Sequence, residues 1–164
     1  MIHHRVALGS DTRYGTGDTW VEIPLDVHFA RDDALTPATI LATFILPSDA
    51  VASNPTAEQP DPAPPPPTVP AAVRVPIATA AASYEVRQLL RTYEPDASMT
   101  SQLPVGSQAV VLLTEGQVTA TTGEDARIYD IGAFWVETGA VATTSWNPTS
   151  STSSAVVSIL TALP

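Results

Sequence analysis

Short runs rich in Val, Ile, Thr, Tyr, Trp and Phe recur along this chain, separated by Gly, Asp, Asn or Pro. Branched and aromatic side chains fit a pleated, half-buried surface, so such runs predict strands. They fall at residues 3–7, 19–22, 27–31, 39–46, 72–76, 85–93, 109–114, 117–121, 126–129, 134–137, 142–146 and 155–162. Between Tyr84 and Tyr93 polar and apolar residues largely alternate, as on a sheet with one wet face. Val86, Leu89 and Leu90 also fit a helical stripe, but the adjoining Thr92-Tyr93-Glu94-Pro95 favours a strand. Long amphipathic helical patterns are absent. The pattern predicts an all-β sandwich or barrel.

Proline divides the chain. Nine of the 16 prolines lie between Pro55 and Pro76, four of them consecutive at Pro64 to Pro67. Without N–H groups to donate, such a segment favours extended polyproline II, so residues 51–71 read as a semi-rigid linker. Composition then removes several chemistries. All 7 basic residues are Arg, against 17 acidic residues, for a net charge of −10, and there is no Cys. Thiolate metal sites, Cys nucleophiles, Lys Schiff bases and a P-loop Lys are excluded. So negative a chain is poorly suited to nucleic acid or an anionic membrane surface, and neither is expected as a partner. The amino-terminal residues lack the apolar run of a signal peptide and no apolar stretch is long enough to span a bilayer, so a cytoplasmic location is expected. Abundant Ala and Pro, with Arg in place of Lys, suggest a GC-rich bacterial source.

The most informative feature is an internal repeat. Tyr14-Gly15-Thr16-Gly17-Asp18-Thr19-Trp20-Val21-Glu22 matches Tyr129-Asp130-Ile131-Gly132-Ala133-Phe134-Trp135-Val136-Glu137, sharing Tyr-x-x-Gly-x-x-Trp-Val-Glu. Upstream, Gly9, Asp11 and Arg13 match Gly123, Asp125 and Arg127. Downstream, residues 38–47 resemble residues 155–164, both ending in Leu-Pro.

Both copies resemble the second signature of the cupin family, in which Gly, five residues, Pro-x-Gly-x-x-His and an Asn four positions on form a hairpin. In the first copy Gly17 leads to His28, with Asp32 at the Asn position; in the second, Gly132 leads to Thr143 and Asn147. Remains of the first signature are seen at residues 94–116, with Gln102 and Pro104 at the two His positions and Gln108 or Ala109 at the Glu. The resemblance implies a double-stranded β-helix (jelly-roll) barrel over 72–164, and over 1–50 only the second half of another cupin unit. It also implies that the 72–164 barrel has lost its metal ligands, since a catalytic first-row metal needs about three protein ligands.

Two classes of function follow. The first is a cupin-like protein without a metal site or other cofactor, binding a small molecule or serving a structural role, with Gln102, Thr143 and Trp135 as candidate ligand contacts. The alternative is a metal-dependent oxygenase, isomerase or lyase. It would hold Fe, Mn, Ni or Zn at His28 with His3 or His4 and Glu22. Adjacent strand residues face opposite ways, so only one of His3 and His4 can join His28. Trp20 and Glu22 recur as Trp135 and Glu137 in a copy without metal ligands, which points to a structural role. The polar run from Asn147 to Ser154 reads as a solvated loop. A half barrel leaves strand edges unpaired, so a homodimer through the 1–50 half is expected.

Overall fold

The structure, a computed structural model, describes residues 1–5, 8–22, 28–32, 38–46 and 74–164. The chain forms two units, Met1–Pro67 and Thr68–Pro164. In the first, β1 (Ile2–Arg5) pairs antiparallel with β2 (Ser10–Arg13) and β3 (His28–Arg31), giving the order β2-β1-β3.

The second unit contains β4 (Ser83–Tyr93), β5 (Ser98–Ser101), β6 (Ser107–Glu115), β7 (Gln117–Thr122), β8 (Asp125–Asp130), β9 (Phe134–Thr138), β10 (Thr143–Trp146) and β11 (Ser153–Leu163). Its pairing is nested. β4 pairs with β11, β5 with β10, β6 with β9 and β7 with β8, all antiparallel. One long hairpin, folded and coiled on itself, gives this nesting. Successive coils are joined where β11 meets β6 and β10 meets β7. The result is two four-stranded sheets, β4-β11-β6-β9 and β5-β10-β7-β8. This is the double-stranded β-helix expected from the sequence.

Alternation sets the core. On β6 Ala109, Val111 and Leu113 turn inward, on β11 Ala155 and Val157, and on β7 Val118 and Ala120, joined by Tyr93 and Trp135. Full burial of a side chain such as Leu113 contributes roughly 1.5–3 kcal/mol. At the turn between β8 and β9, Gly132 adopts φ 84°, which a residue with a Cβ rarely reaches. There its N–H donates to the Leu113 carbonyl at 2.8 Å, while the Leu113 N–H donates to the Ala133 carbonyl at 2.9 Å.

Several expectations need correction. Residues 38–46 form no strand, although residues 39–46 are apolar; Ile40, Phe44 and Ile45 are exposed. A strand requires a partner to take its backbone groups, and none of the described strands pairs with this segment. Residues 19–22 and 74–76 are likewise irregular. β2 and β5 were not expected, because their Ser, Asp, Thr and Arg content carries little strand signal. The proposed linker at 51–71 lies outside the described residues. Among the described residues no helix is long and apolar enough to cross a membrane.

Candidate functional site

The chemistry inside the barrel centres on β9. Alternation along Phe134–Thr138 turns Trp135 and Glu137 to the same inner face. The Glu137 side chain is 1% exposed, and that of Arg91, from β4, is 10% exposed. The guanidinium grips the carboxylate with two bonds, Nη1 to Oε1 at 2.7 Å and Nη2 to Oε2 at 3.3 Å. Two further donors complete the set. The Trp135 indole N–H reaches Oε1 at 3.1 Å, and the Ser101 hydroxyl, from β5 in the opposite sheet, reaches Oε2 at 2.7 Å. Each oxygen thus accepts two hydrogen bonds, which uses the acceptor capacity of a carboxylate. The Ser101 bond, from the other sheet, also ties the two sheets together.

Electrostatics follow from this geometry. Burial alone would push the Glu137 carboxyl upward, but the bonds from Arg91, Ser101 and Trp135 outweigh it and hold the group below the usual carboxylate range. Burial opposes the charge on Arg91 as well, and the bonds to Glu137 and to the Tyr93 hydroxyl overcome it, raising the guanidinium further. Both groups stay ionised at neutral pH. The carboxylate has no free lone pair to offer a substrate.

The residues singled out from sequence are dispersed. Trp135 is buried and bound to Glu137. Thr143 is buried on β10, its hydroxyl paired with that of Thr122 at 2.9 Å. Gln102 is exposed, one residue past the end of β5, and its amide donates to the Gly139 carbonyl at 3.2 Å. It is Ser101, not Gln102, that bonds into the interior; a shift of one residue moves a side chain to the other face. Asn147 departs from the expectation of a solvated loop. It is fully buried, donates to the carbonyls of Tyr93 and Ser151, and accepts from the Thr149 N–H and hydroxyl. This amide pins the β10–β11 loop to the end of β4.

In the first unit the Tyr-Trp-Glu geometry of the second recurs. The Tyr14 and Trp20 rings lie 4.8 Å apart at 37°, and those of Tyr129 and Trp135 lie 4.9 Å apart at 40°. The Trp20 indole N–H donates to Glu22 at 3.3 Å, as Trp135 does to Glu137. Here, however, Glu22 is exposed, and the aromatic pair is joined by His3, 5.6 Å from Trp20. The register sets Arg5 opposite His28 and His3 opposite Ala30. The side chains of His4 and His28 lie outside the described residues.

Among the described residues the barrel interior does not fit a divalent metal. The positions that resemble metal ligands carry an outward amide, a proline and a hydroxyl paired with Thr122, and the buried carboxylate of Glu137 is saturated. Among the described residues no three His, Asp or Glu side chains gather into a metal-holding group. A half-open hollow of about 220 Å³ lies beside the aromatic pair, lined by Thr122, Asp125, Arg127, Tyr129, Trp135 and neighbours. Sequence reasoning missed Arg91 because its partner lies 46 residues away, and no spacing rule links them.

No family model matches the chain, and no curated protein is significantly similar to it. Among solved structures, it is similar to the cupin domain of an XRE-family transcriptional regulator from Enterobacter cloacae, at 14% identity and TM-score 0.42, over 49% of this chain and 98% of that one. It is similar to a de novo designed double-stranded β-helix at 10% identity and TM-score 0.40, over 44% of this chain and 97% of that one. A cupin conserved barrel domain protein from Salinispora arenicola matches at 15% identity and TM-score 0.39, over 53% and 70% of the respective chains. What identifies the fold is the nested pairing itself: with β4 to β11 coiled as one hairpin into two facing sheets, the second unit is a double-stranded β-helix (jelly-roll) barrel.

Proposed function

We propose that this protein is a metal-independent cupin-like module whose barrel interior is structural, with any small molecule taken at the hollow beside Tyr129 and Trp135. The observation that carries this reading is the saturation of Glu137, the one carboxylate buried in the barrel core among the described residues, by four donors. A general base needs a free lone pair and a metal ligand needs an open one. The hollow offers what a bound polar molecule can use: an aromatic wall from Tyr129, and the guanidinium and carboxylate of Arg127 and Asp125.

Elemental analysis of the purified full-length chain, with a His28→Ala variant in parallel, tests the reading. The expected result is less than about 0.1 equivalent of Fe, Mn, Ni or Zn in both. A stoichiometric metal in the parent that disappears in His28→Ala would establish instead a metal-dependent enzyme built on His28.

A further inference from the structure

The hollow beside Tyr129 and Trp135 is a product of alternation on two strands. On β7 Val118 and Ala120 turn inward, and the register sets Tyr129 and Arg127 opposite them on β8, with Asp125 opposite Thr122. Asp125, Arg127 and Tyr129 therefore share one face. The space exists because Ala120 is small. In the first unit the register sets His3 opposite Thr12 and Ala30, as it sets Ala120 opposite Arg127 and Ser145 in the second. There the His3 ring lies 5.6 Å from Trp20 and 6.2 Å from Tyr14, against that aromatic pair. Beside Tyr129 and Trp135 a methyl group stands in the same place, and about 220 Å³ stays open.

The polar groups around the hollow differ from those of the core. Glu137, Asn147 and Thr143 are each bonded to named partners. Among the described residues the side chains of Asp125 and Arg127 make no hydrogen bond or ion pair, even with each other. The Tyr129 hydroxyl likewise has no hydrogen-bond partner there, and it is not buried. An uncommitted carboxylate, guanidinium and phenol thus line one cavity.

We infer that the hollow takes a small zwitterion, an α-amino acid with an apolar side chain. Its carboxylate lies on Arg127, its ammonium on Asp125 and its side chain against Tyr129. This rests on the reading above that the hollow is where the module takes a small molecule. Charge selects the class. Asp125 and Arg127 stand two residues apart on one strand face, about 6.8 Å along the chain, so a ligand that satisfies both must carry both signs. A simple anion would meet Asp125 and the field of a chain at −10. A simple cation would leave the Arg127 donors unmet, although a guanidinium matches a carboxylate in two parallel bonds, as Arg91 matches Glu137. Size agrees. About 220 Å³ falls short of the roughly 300–1,000 Å³ typical of drug-sized sites, so the occupant is small. The aromatic lining supplies the wall for an apolar side chain.

The test is an NMR titration of the full chain, followed at the Tyr129 ring and Arg127 guanidinium signals. Four probes are added to about 20 mM: L-leucine, N-acetyl-L-leucine, which lacks the ammonium, L-leucinamide, which lacks the carboxylate, and D-glucose, which has neither. Asp125→Asn and Arg127→Gln variants run in parallel; both positions are exposed on β8, and circular dichroism checks that the fold is kept. The expected result is that L-leucine shifts both signals with a Kd of about 1 mM or tighter. Each single-charge analogue, and each variant with L-leucine, is expected to bind at least about tenfold more weakly. Two outcomes overturn the zwitterion and leave the hollow as a binding place: an analogue or D-glucose that shifts Tyr129 as well as L-leucine does, or L-leucine binding that both variants retain. A Tyr129 signal that responds to none of the four probes overturns the inference and the hollow together.

Discussion

Removing Arg91 while keeping Glu137 is the most informative perturbation of the barrel. In Arg91→Ala a carboxylate that is 1% exposed keeps only the Ser101 and Trp135 donors. Stranding one member of a buried pair costs about 3–5 kcal/mol. An independent route gives a similar figure: folding with Glu137 protonated at pH 7, from an ordinary value near 4.3, costs about 3.7 kcal/mol. For a unit of about 100 residues each kcal/mol lowers Tm by about 4–8 °C, so a loss of at least about 12 °C is expected. The sign of the pH dependence reverses as well. In the parent, Glu137 lies below its unfolded value, so its contribution is complete above that value and is lost as pH falls through the folded one. In Arg91→Ala the same carboxyl is raised by burial, so the folded state binds the extra proton. Stability then increases as pH drops from 7 to 5, by up to about 2.7 kcal/mol relative to the parent. Thermal and urea unfolding followed by circular dichroism at the two pH values measure both effects. A Tm loss under about 4 °C, or a variant no better off at pH 5 than at pH 7, would refute the reasoning.

Further outcomes follow from the same structure. Replacing both partners, Arg91→Met with Glu137→Leu, removes the stranded charge and is expected to return to within about 2 kcal/mol of the parent in the same urea titrations. Asn147→Ala removes the amide from the Tyr93 carbonyl and the Thr149 N–H, while the Ser151 carbonyl keeps the Thr149 hydroxyl, and should cost about 2–3 kcal/mol, read as a shift in urea midpoint at constant slope. Gly116→Ala combines a φ of 75° with a Cβ driven onto the Ser153 side chain and backbone; it is expected to lose about 2–4 kcal/mol by thermal denaturation. Arg127→Ala lies on exposed β8 and should leave Tm within about 3 °C of the parent, which makes it suitable for ligand screening at the hollow.

The barrel was largely legible in the sequence, because its strands are runs of branched and aromatic residues bounded by turn residues. Residues 109–114 and 134–137 lie within β6, paired on both sides, and β9, at the sheet edge, for that reason. β5 was not legible: Ser98–Ser101 is a strand because β10 pairs with it, not because of its own composition. The apolar run at 39–46 shows the converse. Composition there favours a strand, yet pairing is a tertiary event that local sequence does not encode. The phase of Ser101 against Gln102 turned on a single residue in a segment without alternation. Arg91 and Glu137 could be recognised only as charged residues lying in phase with inward neighbours, Tyr93 and Trp135; that they meet follows from the coiling.

The account rests on a carboxylate that is locked rather than available, and the titration of the Glu137 side-chain carboxyl tests this most directly. Its ¹³C shift can be followed by NMR in protein labelled at glutamate and assigned with Glu137→Gln. The carboxyl is predicted to titrate below the other glutamates, with the Arg91 guanidinium protons protected from exchange over the same pH range. A Glu137 that titrates at or above the ordinary glutamate value, beside a freely exchanging Arg91, would contradict it.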